Sequence, residues 1–393
     1  MDFQTLKQID NANIANTYAR FDIGIVSGKG AVCIDTTDKE YIDFSSGIGV
    51  NALGFCNDKW AQAVATQAAT LSHTSNLFYT QPGAQLAQKL CKRTGMKKVF
   101  FGNSGAEANE GAIKAARKYS RDKYGEDRFE IITLYNSFHG RTIATLSATG
   151  QDALHTHFDP FLQGFVYTKA NDIPALHAAV SEKTCAVMLE LIQGEGGVIP
   201  LEPEFVDAVA KLCAQRDLLL IIDEVQTGMG RTGSLFCYEQ FALQPDIVTC
   251  AKGLGGGLPI GAVLLGEKCE TTLGTGDHGS TFGANPIVTA GASVVLDALT
   301  DELLQEVKEK GAYIKKRLTL LPRVLSITGM GLMLGITFDG IIGRDVVNKC
   351  LQRGVIFLTA KNKLRMLPPL IISYEQIDSA LDILQEVLID WED

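Results

Sequence analysis

Much is missing from this 393-residue chain, and each gap removes a class of function. No apolar run approaches the ~18–20 residues that a membrane-crossing helix needs, so no membrane partner is expected. No block of about five or six like charges occurs, and acids outnumber bases 45 to 36, for a formal net charge of −9. A polyanionic partner therefore has little electrostatic support, which disfavours nucleic acid. The nine cysteines (33, 56, 91, 185, 213, 237, 250, 269 and 350) contain no C-x-x-C pair. An odd, scattered set suits neither a disulfide framework nor a zinc site and reads as small core residues in a reducing compartment. His155-x-His157 has no carboxylate or cysteine at ligand spacing, so no metal is expected. The opening residues MDFQTLK carry an early acid and no apolar centre, unlike a signal or transit peptide, and the expected location is cytoplasmic. A P-loop, G-x-x-x-x-G-K-[ST], is absent.

Glycine is in excess instead: 39 residues, of which 16 fall between positions 194 and 283. Hydrophobic residues make up 46% and charged residues 21%, enough for a sizeable core, and the length allows two or three domains. Residues 31–35 and 40–44 flank the polar turn Thr36-Thr37-Asp38-Lys39, a hairpin pattern. From about residue 60 to 265, short apolar runs alternate with amphipathic stretches: strands at 99–102, 129–134, 185–192, 218–222, 247–250 and 262–265, with helices at 105–124 and 202–216. Buried strands separated by helices predict a mostly parallel sheet covered on both faces, an α/β fold. Beyond 285 the pattern becomes α+β, with helices near 286–298, 301–320, 343–353 and 374–389 around strands at 324–328, 331–338 and 355–358. The expected division is an N-terminal segment and hairpin (1–50) packing with a small C-terminal α+β domain (285–393), and a large domain (51–284) between them.

In a parallel sheet, ligands sit beyond the carboxyl ends of the strands. After the first strand, Asn103-Ser104-Gly105-Ala106-Glu107 opens a helix with a capping-box pattern, whose free N–H groups can bind phosphate; Glu107 must then point away. After Leu218–Ile222 comes Asp223, a carboxylate at the end of a buried strand that needs a cationic partner. After Ile247–Cys250 comes Lys252, between a buried strand and a glycine run, with no other charge from 247 to 265; desolvation would lower its pKa toward that of a nucleophilic amine. A lysine, a strand-end carboxylate and a phosphate site have one joint explanation, pyridoxal 5′-phosphate (PLP). Gly228-x-Gly230-x-x-Gly233 and Gly274-x-Gly276-x-x-Gly279 match a dinucleotide fingerprint, but neither directly follows a strand and opens a helix.

The runs NSGAEANEGAIKAARK (103–118), FHGRT (138–142), QGEGGV (193–198), IIDEVQTGMGRTG (221–233), AKGLGGGLPIGA (251–262) and HGSTFGANP (278–286) resemble the class III, fold-type I PLP aminotransferases. SNLFYT (75–80) and LRMLPPL (364–370) are similar to the branch acting on acetylornithine. The resemblance implies a large domain with a mostly parallel sheet plus a small α+β domain. It makes Lys252 the Schiff-base lysine and Asp223 the partner of the pyridinium nitrogen. It sets Gln226 at the ring hydroxyl and Phe138 against the ring, with Ser104, Gly105 and Ala106 at the phosphate, joined by Thr281 from a second subunit of a homodimer. Glu224 and Val225 fall in the cofactor segment. Arg141 would take the substrate α-carboxylate, and Ser280 lies on the substrate side. Glu195 would gate Arg365, the receptor of a distal carboxylate.

The implied reaction moves the ω-amino group of N2-acetyl-L-ornithine to 2-oxoglutarate, as in arginine biosynthesis. Related ω-aminotransferases for ornithine, succinylornithine, 4-aminobutyrate or acetyl-lysine share these motifs, and a non-catalytic PLP-binding scaffold is the alternative from another class. Three departures from the class pattern stand at Glu190-Leu191 (usually Glu-Pro), at Phe55-Cys56-Asn57-Asp58 and at Thr359–Lys363. The last is close to the expected substrate end.

Overall fold

Strands Thr184–Leu189, Leu219–Asp223, Ile247–Cys250 and Gly261–Leu265 are buried at every position. Uninterrupted apolar runs have to be covered on both faces, and consecutive side chains divide accordingly. Ile132, Val187, Leu220, Ile222 and Val248 enter one hydrophobic cluster, while Ile131, Ala186, Leu219, Ile221 and Ile247 enter another. The computed structural model describes residues 1–391. It contains a seven-stranded sheet in the order Lys98–Gly102, Gly261–Leu265, Ile247–Cys250, Leu219–Asp223, Thr184–Leu189, Glu130–Leu134 and Phe165–Thr168. Only Gly261–Leu265 runs against its neighbours, so the sheet is mostly parallel, as expected. The edge strand Phe165–Thr168 was not expected; it is short and mostly half-buried, and lacks the continuous apolar run of the central strands.

Helix Gly105–Tyr124 lays Ala108, Ala112, Ala115 and Ala116 on one cluster, small residues that let it approach closely. Helix Pro203–Arg216 buries Phe205, Val206, Val209, Leu212 and Cys213 on the other, at helical spacing. The strand expected over 185–192 stops at Leu189. Glu190 leaves the ladder because its carboxylate accepts the N–H groups of Phe138 (2.9 Å) and Gly194 (3.3 Å), and the chain turns into the short hairpin Ile192–Gln193 with Ile199–Pro200.

After residue 285 come helices Pro286–Ala298, Asp301–Leu318, Gly343–Gln352 and Tyr374–Ile389. They accompany a four-stranded sheet ordered Val324–Met330, Met333–Phe338, Lys363–Met366, Leu358–Ala360. The strand expected at 355–358 is divided between two sheets. Val355–Ile356 pairs in parallel with Ile42 and Asp43, and Leu358–Ala360 pairs with Lys363–Met366, while Phe357 is buried at the crossover. The N-terminal hairpin, Val32–Asp35 with Glu40–Asp43, is thereby hydrogen-bonded to the C-terminal segment. No helix among the described residues is long and apolar enough to cross a membrane.

Candidate active site

Strand Ile247–Cys250 delivers Lys252 to the carboxyl ends of the parallel strands, where a cavity of about 480 Å³ opens. Lys252 begins a single 3-10 turn, Lys252–Gly255, with φ of +42°, a conformation that costs a non-glycine residue energy and is held only by its surroundings. Burial holds its ammonium below the ordinary lysine value; Glu195, Asp223 and Glu190 pull the other way, and Arg365 adds to the lowering. The amine is thus shifted toward the free base that a nucleophile or proton acceptor requires.

Asp223 faces the same cavity from the neighbouring strand. Its Oδ2 accepts from Asn109 Nδ2 and from His139 Nδ1, both at 2.8 Å, and its Oδ1 accepts from the Val225 N–H at 3.0 Å. Asn109 is fixed in turn by donating to the His139 carbonyl (2.7 Å) and accepting from Thr249 Oγ1 (2.7 Å). Burial opposes charge on His139, but the Asp223 hydrogen bond and attraction outweigh it and raise its pKa. Glu190, buried beside this network, is pushed up to about 7 by desolvation. His139, Asn109 and Glu190 were not among the expected site residues. Asn109 leaves a signal in the sequence, a lone amide between Ala108 and Ala112 on the buried face of its helix. His139 lies inside FHGRT, between Phe138 and Arg141, with no local pattern that marks its carboxylate partner.

Helix Gly105–Tyr124 starts at the cavity wall. Ser104 caps it by accepting the Glu107 N–H at 3.1 Å. The Glu107 carboxylate turns back to the backbone N–H and side chain of Asn103, away from the cavity, which resolves its conflict with a bound anion. The N–H groups of Gly105 and Ala106 make no hydrogen bond within the described residues, and both residues line the cavity beside Ser104. A Cβ on Gly105 would stand 2.7 Å from Val225 Cγ1, so glycine lets Val225 pack over the helix start. A Cβ on Gly261 would stand 2.0 Å from the Ser104 carbonyl, so the reversed strand fixes that start from behind.

Phe138, Val225 and Gln226 complete the wall, and the exposed Arg141 stands at the mouth with its guanidinium 5.5 Å from the Phe138 ring centre. Beyond Gln226 lies the pair expected to act as a gate. Arg365 Nη1 meets Glu195 Oε1 at 2.5 Å and Gln226 Oε1 at 3.3 Å, and Gln226 Nε2 reaches Glu195 at 3.4 Å. Burial alone would raise the Glu195 carboxyl, but Arg365 outweighs it and holds it below the usual range. Arg365 is almost fully buried, and its Nε has no partner within the described residues. Five expected residues do not line this cavity: Glu195 and Arg365, which lie behind Gln226, and Glu224, Ser280 and Thr281. The Glu224 carboxylate is bonded to Thr227 Oγ1 and the Tyr238 N–H. Ser280 Oγ bonds Asn103 and the Gly283 N–H, and with the exposed Thr281 it lines a separate cavity of about 460 Å³ beside Phe100 and His278. Among the described residues, no cluster of His, Cys, Asp or Glu is placed to hold a metal ion.

Residues 13–388 match the profile of the family Aminotransferase class-III, and the chain belongs to that family. It is 56% identical to the acetylornithine aminotransferase of Haemophilus ducreyi, covering 99% of each chain. It is 46% identical to the acetylornithine aminotransferase of Methanocaldococcus jannaschii, covering 94% of each. Among solved structures it is similar to N-acetylornithine aminotransferase from Stenotrophomonas maltophilia K279a, with a TM-score of 0.83, 34% identity, and coverage of 97% of this chain and 98% of that one. The class III aminotransferases are PLP-dependent transaminases that act on small molecules.

Proposed function

We propose that this chain binds PLP at Lys252 and transfers the ω-amino group of N2-acetyl-L-ornithine to 2-oxoglutarate. The residues fit the cofactor. The two unpaired N–H groups of Gly105 and Ala106, with the Ser104 hydroxyl, suit a phosphate at a helix N-terminus. Among the described residues Asp223 Oδ1 accepts a single donor, leaving room for a ring N–H, and Phe138 offers a flat apolar face. PLP bound there supplies an aldehyde to receive the amino group and a ring that takes up electrons from the neighbouring carbon. Lys252 is the attachment point and then the base that moves a proton, with its amine kept available by desolvation. Asp223, held in place by Asn109 and His139, would pair with the ring nitrogen. Arg141 takes the α-carboxylate that donor and acceptor share.

The observation that carries the substrate assignment is the ion pair between Glu195 and Arg365. A site that alternately holds a neutral acetamido tail and the distal carboxylate of glutamate must hide and expose one positive charge, and this pair can do both. The unpartnered Nε of Arg365 is a donor suited to that carboxylate. The names of the relatives in Haemophilus ducreyi and Methanocaldococcus jannaschii support the same substrate. A homodimer completes the reading. Leu77, Phe78 and Tyr79 are exposed, and Asn76 ties them to the carbonyls of Ser280 (3.1 Å) and Gly283 (3.0 Å), beside the exposed Phe282. That apolar patch suits a second copy, which would bring Thr281 to the partner's phosphate site. With 2-oxoglutarate as acceptor, an amino-donor panel should rank N2-acetylornithine first by kcat/KM. A higher rank for ornithine, succinylornithine, 4-aminobutyrate or acetyl-lysine would contradict the assignment.

A further inference from the structure

The loop Gly228–Gly233, which resembles a dinucleotide fingerprint without its context, has another use. Its Arg231 is buried to 2% exposure and does not line the cavity of Lys252 and Asp223. Nη1 donates to the Leu332 carbonyl at 3.1 Å and to the Pro368 carbonyl at 2.5 Å, and the Arg231 carbonyl accepts the Leu332 N–H at 3.0 Å. Leu332 immediately precedes strand Met333–Phe338, and Pro368 follows strand Lys363–Met366 by two residues. These two strands pair with Gly335 opposite Arg365 and Leu334 opposite Met366. One guanidinium therefore holds the end of the strand pair that carries Arg365. The same residue belongs to the loop that begins at Asp223 and passes through Gln226, which touches both Arg365 and Glu195. Asp43, in the N-terminal hairpin, is the buried anion acting on Arg231. An arginine is costly to bury, and surface helices could hold these strands without one. Its place is explained if the distance between the cofactor loop and Arg365 has to be fixed.

We propose that Arg231 is the positioning residue that sets Arg365 relative to the cofactor pocket, and so sets recognition of the distal carboxylate. This rests on the reading of Arg365 given above. Glutarate and glutaramate test it, because they have the same length, differ in one charge, and carry neither amine nor keto group to react. Both are titrated calorimetrically into the holoenzyme. The wild type should prefer glutarate. Arg231→Gln should weaken glutarate by about tenfold or more while changing glutaramate by less than about twofold. Arg231→Lys, which keeps the charge beside Asp43 and one donor direction, should fall between. If the Gln variant does not fold, the Lys variant carries the same two-ligand comparison. Unchanged glutarate affinity would overturn the proposal, and so would equal losses for both ligands, which would mean general damage to the pocket. A wild type that does not distinguish the two ligands would instead remove the Arg365 subsite itself, and this proposal with it.

Discussion

Two charged sites, Asp223 at the inner end of the cavity and the Glu195–Arg365 pair at an outer end behind the Gln226 wall, are built by opposite means. At the inner end, Asp223 receives three hydrogen bonds, from the Asn109 and His139 side chains and the Val225 N–H; Asp223, Asn109 and His139 are buried, and Asn109 is itself fixed by the buried Thr249. At the outer end, Glu195 and Arg365 share one short bond and two long contacts to Gln226, and the Glu195 side chain is 31% exposed. A satisfied buried network has one arrangement and resists change, because any displaced member leaves an unpaired polar group behind. A single ion pair open to water on one side can be exchanged for a pair with a ligand at small net cost. The inner end is suited to hold one charge state throughout a reaction, and the outer end to alternate between two.

Breaking the inner end should have the largest effects. Lys252→Ala should abolish turnover together with the borohydride-reducible visible chromophore, read in the same sample. Asp223→Asn keeps the shape but loses the charge, and kcat/KM should fall on the order of 10²–10⁴-fold. The same variant should lower the His139 pKa, since Asp223 is what raises it, and imidazole NMR shifts measured against pH report this directly. The outer end should respond more mildly and selectively. Glu195→Ala should unmask Arg365 and shift the kcat/KM ratio of glutamate over N2-acetylornithine by about tenfold toward glutamate; an unchanged ratio would mean that the pair is no gate.

The smallest effect sharpens the contrast with a carboxylate outside both ends. Burial raises Glu224 to about 7, against the lowering by Thr227 and the N–H groups of Cys237 and Tyr238. Between the ordinary carboxylate range and about 7, the folded protein therefore holds a proton that the unfolded chain has released. Stability contributed by this group is present at low pH and is lost as pH rises through that window. Glu224→Gln removes the slope. Its Tm relative to wild type should rise by about 1–3 °C between about pH 5 and about pH 8, with little change in kcat/KM.

The central strands were legible in the sequence because continuous apolar runs report two-sided burial. The residues at their ends, Asp223 and Lys252, were legible because a charge directly after such a run is conspicuous. The edge strand Phe165–Thr168 was not, since one half-buried face leaves no such run. The break at Glu190 and the division of 355–358 between two sheets depend on partners distant in sequence, Phe138 and Gly194 in one case and Ile42 with Lys363–Met366 in the other. No local pattern encodes those. The contact between Glu195 and Arg365, separated by 170 positions, was expected only through resemblance to a family. A lone histidine such as His139 shows its role only when the carboxylate beside it is known.

Lys252, held in a left-handed turn at the end of a buried strand, is proposed as the residue to which the cofactor is joined. Borohydride reduction of the holoenzyme, followed by proteolysis and peptide mass analysis, tests it most directly. One modified peptide is expected, carrying the pyridoxyl group on Lys252, and none after Lys252→Ala. Modification of a different lysine, or a wild-type protein that takes up no cofactor, would contradict it.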